Sequence, residues 1–329
     1  VPEGSDFEEV VQLAKAIEKA GATMINTGIG WHEARIPTIA TKVPRAAFTW
    51  VTNKVRKHLT VPVITSNRIN TPEVAEQVLA NGDADLISMA RPFLADPEFV
   101  NKAAAGQSER INTCIGCNQA CLDHVFNGKV SSCLVNPRAC EETRIIIAPA
   151  QAQKTIAIIG AGPAGLACAV TAAQRGHKVT LYDAGEQIGG QFNIAKRIPG
   201  KEEFSETLRY FSVMLNELNV TVKLNTYLST QQLNDLHVDE LVLATGITPR
   251  GLDIPGHDHA KVISYLDVVK GAYVGKKVAI IGAGGIGFDV AEFLSHGDRE
   301  PSTNIAQFMS QWGIDMTMTA RGGVACMTP

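Results

Sequence analysis

No stretch of the 329 residues reaches the roughly 20 consecutive apolar residues that a membrane-spanning helix needs. The chain also lacks the charged-then-apolar opening of an export signal. The expectation is therefore a soluble, cytoplasmic protein whose cysteines stay out of disulfides. Basic residues are not in excess either: 30 Lys and Arg stand against 33 Asp and Glu, a net charge of −3. So balanced a chain has no charge surplus for holding a phosphate polymer or an anionic bilayer, which excludes nucleic acid and membrane as main partners. Aromatic residues make up only 6% and charged residues 19% of a chain that is 45% hydrophobic, the proportions of an ordinary globular enzyme. There is no initiating methionine; Val1 leads directly into a helical pattern, and the chain stops just after an incomplete nucleotide-binding pattern. A piece of a longer protein, inactive alone, is expected.

Two things are present in unusual measure. Glycine reaches 29 and gathers in turns, and four of the seven cysteines, Cys114 to Cys133, fall within 20 residues. The length suits two or three domains. From about residue 5 to 105 the pattern alternates: helices over 6–20, 44–58, 72–80 and 96–105, strands over 22–25, 61–65 and 84–89. Phe7, Val10, Val11, Ala14 and Ile17 recur at helical spacing in the first of these, with Ser5 or Asp6 as N-cap. Three βα units of this length fit the final part of a (β/α)8 barrel, with a small complete doubly wound domain as the rival.

Cys114, Cys117, Cys121 and Cys133 give the spacing C-x2-C-x3-C-x11-C. Four thiolates, three in one tight loop and a remote fourth, are what a [4Fe–4S] cluster takes, since each iron accepts one soft sulfur ligand. Zinc sites favour two separated CxxC-like pairs. Zinc and inert thiols remain the alternatives. Cys140 lies outside the pattern, and Cys168 sits in an apolar helix as a core residue.

Beyond a linker at 148–154, an all-apolar strand at 155–159 runs into Gly160, Gly162 and Gly165, a GxGxxG turn opening a helix at 164–175. The first glycine makes the turn, the second admits a pyrophosphate and the third lets helix and strand pack. Asp183 ends the next strand, 18 residues beyond Gly165, where a carboxylate can hold a ribose hydroxyl. The other reading is a tight βα turn without ligand. Residues 184–240 read as an insertion with a helix at 202–218 and a strand at 220–224, and 241–244 as a buried strand. The turn then recurs: IAIIGAGPAG at 156–165 is matched by VAIIGAGGIG at 278–287, with Gly282, Gly284 and Gly287 after a strand at 277–281. Two such folds in series suggest flavin on one and nicotinamide on the other.

In the barrel-like part His32 lies just past a strand end, where barrels carry catalytic groups; a hydrogen-bonded structural histidine is the alternative. Arg68 and Arg91 follow the next two strands, where barrels often build a phosphate site, against the alternative of surface ion pairing.

The stretches NTGIGWHEARIPTIAT (26–41), SMARPFL (88–94), INTCIGCNQACLDHVF (111–126), SCLVNPRAC (132–140), AGEQIGGQFNIAKRIPGKEEF (184–204) and IGAGGIGFDVAEFL (281–294) resemble, in order, the bacterial-type 2,4-dienoyl-CoA reductases, relatives of old yellow enzyme, trimethylamine dehydrogenase and enoate reductases. The resemblance covers essentially the whole chain. It implies an α/β architecture in four parts. Residues 1–108 would be the C-terminal part of an FMN-binding barrel and 109–147 the [4Fe–4S] segment. Residues 148–254 would be part of a Rossmann-like FAD domain, and 255–329 the start of an inserted, truncated NAD(P)H domain. Cys114, Cys117, Cys121 and Cys133 would hold the cluster. Arg68, Ala90 and Arg91 would contact FMN, mainly its phosphate. Ala164, Asp183, Gln191 and Lys201 would line FAD, with Leu228 touching it through backbone. His32 would be the active-site histidine, and Glu33, Ala34 and Arg35 would border the acyl-CoA. The family's tyrosine proton donor has no counterpart here.

The activity so implied is NADPH-dependent reduction of 2,4-dienoyl-CoA to enoyl-CoA for fatty-acid β-oxidation. Electrons would pass from NADPH to FAD, singly through the cluster, then to FMN and as hydride to substrate. An acyl-CoA and NAD(P)H would be the partners, and the expected state is a monomer. Rivals are an enoate or enone reductase, an amine dehydrogenase on the same scaffold, or a non-catalytic electron-transfer subunit. The second glycine turn disfavours the amine dehydrogenase, which passes electrons outward and needs no nicotinamide.

Overall fold

The computed structural model describes residues 3–30, 34–297 and 301–325. It forms two compact units, residues 1–141 with 298–329, and residues 142–297. Among the described residues no helix is long and apolar enough to cross a membrane.

The first unit runs α1 (Phe7–Lys19), β1 (Ile25–Asn26), α2 (Thr49–Arg56), β2 (Val63–Thr65), α3 (Pro72–Ala80), β3 (Leu86–Ile87), α4 (Arg91–Ala95), α5 (Phe99–Ala104) and α6 (Leu122–Phe126). Asp6 and Glu9 form a reciprocal capping box that starts α1, and Thr71 caps α3 ahead of Pro72 at its first position. Val11 and Ala14 bury the inner face of α1, whereas Val10 and Ile17 of the expected apolar stripe stay 39% and 41% exposed. The strands pair in parallel in the order β1-β2-β3, each beside its successor, so the winding never reverses as a doubly wound sheet would. They are shorter than the sequence suggests, because a ladder extends only as far as both neighbours do. A row of hydroxyls ties the sheet to α2: Thr52 bonds Thr27 at 2.7 Å and Thr65 at 2.8 Å. The helix expected at 96–105 is α5, shortened to Phe99–Ala104 and preceded by the unexpected α4; Asp96 between them pairs through its carboxylate with Lys102 at 2.6 Å and accepts the Asn112 N–H.

The second unit runs β4 (Thr155–Ile159), α7 (Pro163–Gln174), β5 (Lys178–Tyr182), α8 (Phe192–Ala195), α9 (Phe204–Glu217), β6 (Thr221–Lys223), α10 (Thr230–Asn234), β7 (Glu240–Leu243), α11 (Tyr265–Lys270) and α12 (Gly285–Ser295). Its parallel sheet has the order β6-β5-β4-β7 and reverses at β4. Residues 184–240 are therefore not an insertion: β6 extends the same sheet, and Leu208, Phe211 and Leu215 of α9, at helical spacing, close the core over Ile158, Leu166 and Leu181. The expected buried strand is β7, but it lies at the sheet edge with Leu243 64% exposed. Residues 277–281 form no strand, and Ile281 is 66% exposed. An apolar run becomes a strand only when a partner satisfies its backbone, and none of the described strands lies beside it. The helix that follows packs nonetheless, Val290 joining Ile198, Val268 and Val269 in a small second core.

The largest departure from the expected domain plan is residues 301–325. Placed by sequence in a nucleotide-binding domain spanning 255–329, they pack in the first unit instead. Here α13 (Ile305–Gln311) buries Phe308 and Met309, each 1% exposed, against Val43, Ala47 and Phe48. The Phe48 and Phe308 rings meet edge to face at 6.3 Å. Arg321 then bonds Asp6 and Glu9 at the start of α1, and Lys54 Nζ donates to the Met316 carbonyl. The cause is the side chains: a large apolar pair next to Trp312 needs an apolar host, and the loop before α2 supplies one. Phe308→Ala is expected to cost about 3 kcal/mol or more of unfolding free energy in urea. A loss below about 1 kcal/mol would mean this packing is not kept in solution.

Candidate functional site

Both glycine turns are built alike. Gly160 has φ +109° and Gly282 φ +112°, the left-handed region that suits glycine. A Cβ on Gly165 would stand 1.8 Å from the Gly160 carbonyl oxygen, and one on Gly287 2.1 Å from that of Gly282. Gly162 and Gly284, which N-cap α7 and α12, have nothing within 4 Å of a would-be Cβ. The first and third glycines thus serve helix packing, while the second faces open space in front of a helix N-terminus. An anionic phosphate fits there.

Around the first turn, Asp183 directly follows β5 with both carboxylate oxygens engaged, accepting the Ala161 N–H at 2.6 Å and the Gly185 N–H at 2.7 Å. Each oxygen keeps a second lone pair for a ribose hydroxyl. Gly190 approaches Gly162 so closely that its Cβ would lie 3.1 Å from the Gly162 Cα, which brings the loop carrying Gln191 to the turn. Ala164 is exposed in the first turn of α7. Lys201 is instead paired with Asp289 of α12 at 2.6 Å, and Leu228 is half-buried in the loop beyond β6.

In the first unit, Arg68 is only 4% exposed and its Nε donates to the Val43 carbonyl at 2.8 Å. Arg91 Nη1 donates to the Ile39 carbonyl at 2.8 Å and to Asn118 Oδ1. Carbonyls of one loop, 39–43, therefore hold both arginines, and Arg68 lies below the surface. Ala90 is the residue just before α4. Of the expected substrate-side residues, Ala34 is half-buried and Arg35 exposed; His32 and Glu33 lie outside the described residues.

Cys114, Cys117, Cys121 and Cys133 line one small pocket together with Leu94, Ile115, Leu134 and Val135. Burial pushes the Cys133 thiol up to about 11, and the neighbouring Cys114 and Cys117 add to the shift. Burial likewise raises Cys117, with Cys114 and Cys121 contributing. Backbone N–H groups of Val135 and Asn136 bond Cys133, and that of Gln119 bonds Cys117, favouring thiolate. Four thiols whose charges oppose one another in an apolar pocket, with N–H groups aimed at sulfur, suit a cationic iron–sulfur core. Among the described residues no three His, Cys, Asp or Glu side chains converge tightly enough for a single metal ion. A zinc ion would draw its sulfurs to about 3.8 Å of one another, given Zn–S bonds of about 2.3 Å. The donor set fits the cluster better than zinc.

Sequence reasoning missed what joins these parts. Arg91 and Asn118 also line the cysteine pocket. Gly116, with φ +66°, passes so near Arg68 that a Cβ would stand 3.0 Å from its Nη1 and 3.1 Å from the Thr41 Cα. Asn70 donates to the Cys114 carbonyl at 2.9 Å, and Asn112 to that of Val135 at 2.8 Å. The Gly and Asn inside the cysteine motif were the available signal, since Gly116 and Asn118 are where such a loop turns through positive φ. The cysteine loop and the two arginines form one neighbourhood.

Residues 1–110 match the NADH:flavin oxidoreductase / NADH oxidase family, and residues 154–310 match the pyridine nucleotide-disulphide oxidoreductases. The chain is 39% identical over 304 residues to a metal reductase of Desulforamulus reducens, covering 89% of this chain and 46% of the relative. It is 33% identical to a cinnamate reductase of Clostridium sporogenes, over 90% of this chain and 45% of that one. Among solved structures it resembles a 2-naphthoyl-CoA reductase in complex with 2-naphthoyl-CoA, with a TM-score of 0.85 and 33% identity over 88% of this chain and 44% of the other. The chain spans about half the length of the curated relatives it matches. The two family matches in series, with reductases among the relatives, support an old yellow enzyme-like flavin reductase family for it.

Proposed function

We propose, from a chain built as an old yellow enzyme-like flavin reductase, that the complete protein reduces a conjugated C=C bond of an acyl thioester with electrons from NAD(P)H, 2,4-dienoyl-CoA to enoyl-CoA being the reaction it fits best. The observation that carries this is the contact between the cysteine loop and the arginines: Gly116 lies on Arg68, and Arg91 lines the cysteine pocket. A one-electron centre beside a flavin phosphate site is useful to a protein that splits a nicotinamide's electron pair in one place and rejoins it in another.

The residues divide the work. Gly162 and the α7 N-terminus would bind the FAD pyrophosphate, with Asp183 on its ribose and Gln191 nearby; Gly284 and the α12 N-terminus would bind NAD(P)H. Arg68 and Arg91 would neutralise the FMN phosphate from positions fixed by the Val43 and Ile39 carbonyls. The four cysteines would hold a [4Fe–4S] core. When bound, these groups supply hydride acceptance, single-electron passage and hydride delivery. His32 would hold or relay the proton that the reduced thioester takes up, and Ala34 and Arg35 would border the acyl-CoA. The barrel assignment for residues 1–108 is supported by the unreversed β1-β2-β3 order. A relative solved with an aryl-CoA supports a thioester as substrate class.

The test is anaerobic NADPH oxidation by the complete protein with a 2,4-dienoyl-CoA, simple enones or trimethylamine. Turnover with the thioester well above that with enones is expected. Turnover with enones alone, or with none of the three, would overturn the substrate reading.

A further inference from the structure

The return of residues 301–325 to the first unit walls one side of a half-open cavity that, of the predicted site residues, only Ala34 lines. It holds about 370 Å³ between the N-terminal half of α1, α2, the loop after β1 and the segment 314–324. Val10, Val51, Val55 and Ile36 face Ile314 and Val324 across it. An engineered apolar cavity of about 150 Å³ stays dry and accepts benzene, so this one has room for a hydrocarbon group about twice that size.

Its polar neighbours are already committed. Asp315 accepts bonds from the Thr317 and Thr319 hydroxyls and the Ala320 N–H, with the Thr317 hydroxyl foremost in holding its carboxyl well below the usual carboxylate range. Asp6 caps α1 and pairs with Arg321, and the Ser5 carbonyl accepts the Gly322 N–H. Of the side chains in the wall, Trp50 alone keeps a buried polar atom, its Nε1, without a partner among the described residues. The cavity wall includes Gly30 and Ala34, the described residues on either side of positions 31–33, and exposed Arg35 is next along the chain.

Resting on the thioester reading above, the geometry points to this cavity as the receiver of the apolar tail of the acyl group, with the 314–324 segment as the wall that sets how long a tail is accepted. The occupant is a run of methylenes or an aryl ring, because the lining is predominantly apolar. Chain-length preference is then written in residues that lie after the second glycine turn in sequence yet act in the flavin unit.

The experiment uses the complete holoenzyme and a graded series of 2,4-dienoyl-CoA esters from short to long. Specificity, kcat/KM, is expected to rise about fourfold per added methylene until the cavity is full, then level off. Val10→Trp fills the cavity from α1, at a half-exposed helical position where a larger side chain disturbs the fold least. It should move the plateau to shorter esters and leave the shortest ester unchanged. Val324→Phe should do the same from the opposite wall. A flat length profile in the native enzyme, or variants that lower every ester alike, would overturn the assignment. Dissociation constants of saturated acyl-CoA esters, which need no turnover, separate the two ideas. Length-graded binding that Val10→Trp removes supports the cavity even if no dienoyl ester is reduced, an outcome that sinks only the reductase reading. Ungraded binding sinks the cavity whatever the turnover.

Discussion

Cys133→Ala in the complete protein is expected to leave NADPH-dependent reduction of ferricyanide intact while reduction of the thioester falls about a hundredfold or more. The split follows from where the residue sits. Cys133 lies in the first unit, in a pocket whose walls include Arg91 and Asn118, whereas both glycine turns lie in the second unit. Losing an outer partner of a metal ligand already costs tenfold to a hundredfold, so losing a ligand costs at least as much. Burial pushes its thiol up to about 11, as expected of a sulfur set in an apolar pocket. Cys140→Ala is the control. That side chain is exposed and outside the four-cysteine pocket, and thioester reduction should survive its removal. Equal loss from both substitutions, or loss of ferricyanide reduction with Cys133→Ala, would contradict the division of labour.

The second large effect separates two glycines three positions apart. Gly165→Ala drives a methyl to 1.8 Å from the Gly160 carbonyl oxygen, which the backbone can relieve only by parting α7 from β4. Overpacking of this kind costs about 3 kcal/mol, a fall in Tm on the order of 10 °C for a unit of this size. Gly162→Ala meets nothing within 4 Å, and its φ of −75° suits any residue. Apo-protein stability should be unchanged, while FAD affinity drops about tenfold or more because the methyl occupies the pyrophosphate's approach. Thermal unfolding and flavin titration of both variants check this. A Gly162→Ala protein that binds FAD as tightly as the native one would reduce the turn to a packing device.

How much of this the sequence showed depended on whether the cause was local. The β4–turn–α7–β5 unit was legible almost to the residue, because an apolar strand, a glycine turn and a small-residue helix each specify themselves over a few positions. That Cys114, Cys117, Cys121 and Cys133 belong together was legible for the same reason, and they line one pocket. What lay between it and the arginines was not: the approach of Gly116 to Arg68 and the Arg91–Asn118 bond join residues far apart in sequence with no shared pattern. Strand 277–281 failed for the opposite reason, since its composition is right and only a neighbour is wanting. The 301–325 segment shows the limit most clearly. Phe308, Met309 and Trp312 announce a buried helix face, but nothing in a local window says whose core receives it, and the preceding glycine turn suggested the wrong one.

In the function proposed, the four cysteines beside Arg68 and Arg91 would hold a one-electron centre. Iron and acid-labile sulfide analysis of the anaerobically purified complete protein, with electron paramagnetic resonance after reduction by NADPH, tests it most directly. Four irons and four sulfides per chain, with a cluster signal that NADPH alone elicits and Cys133→Ala removes, is the result the structure leads us to expect. Zinc in place of iron, or a cluster that dithionite reduces and NADPH does not, would contradict it.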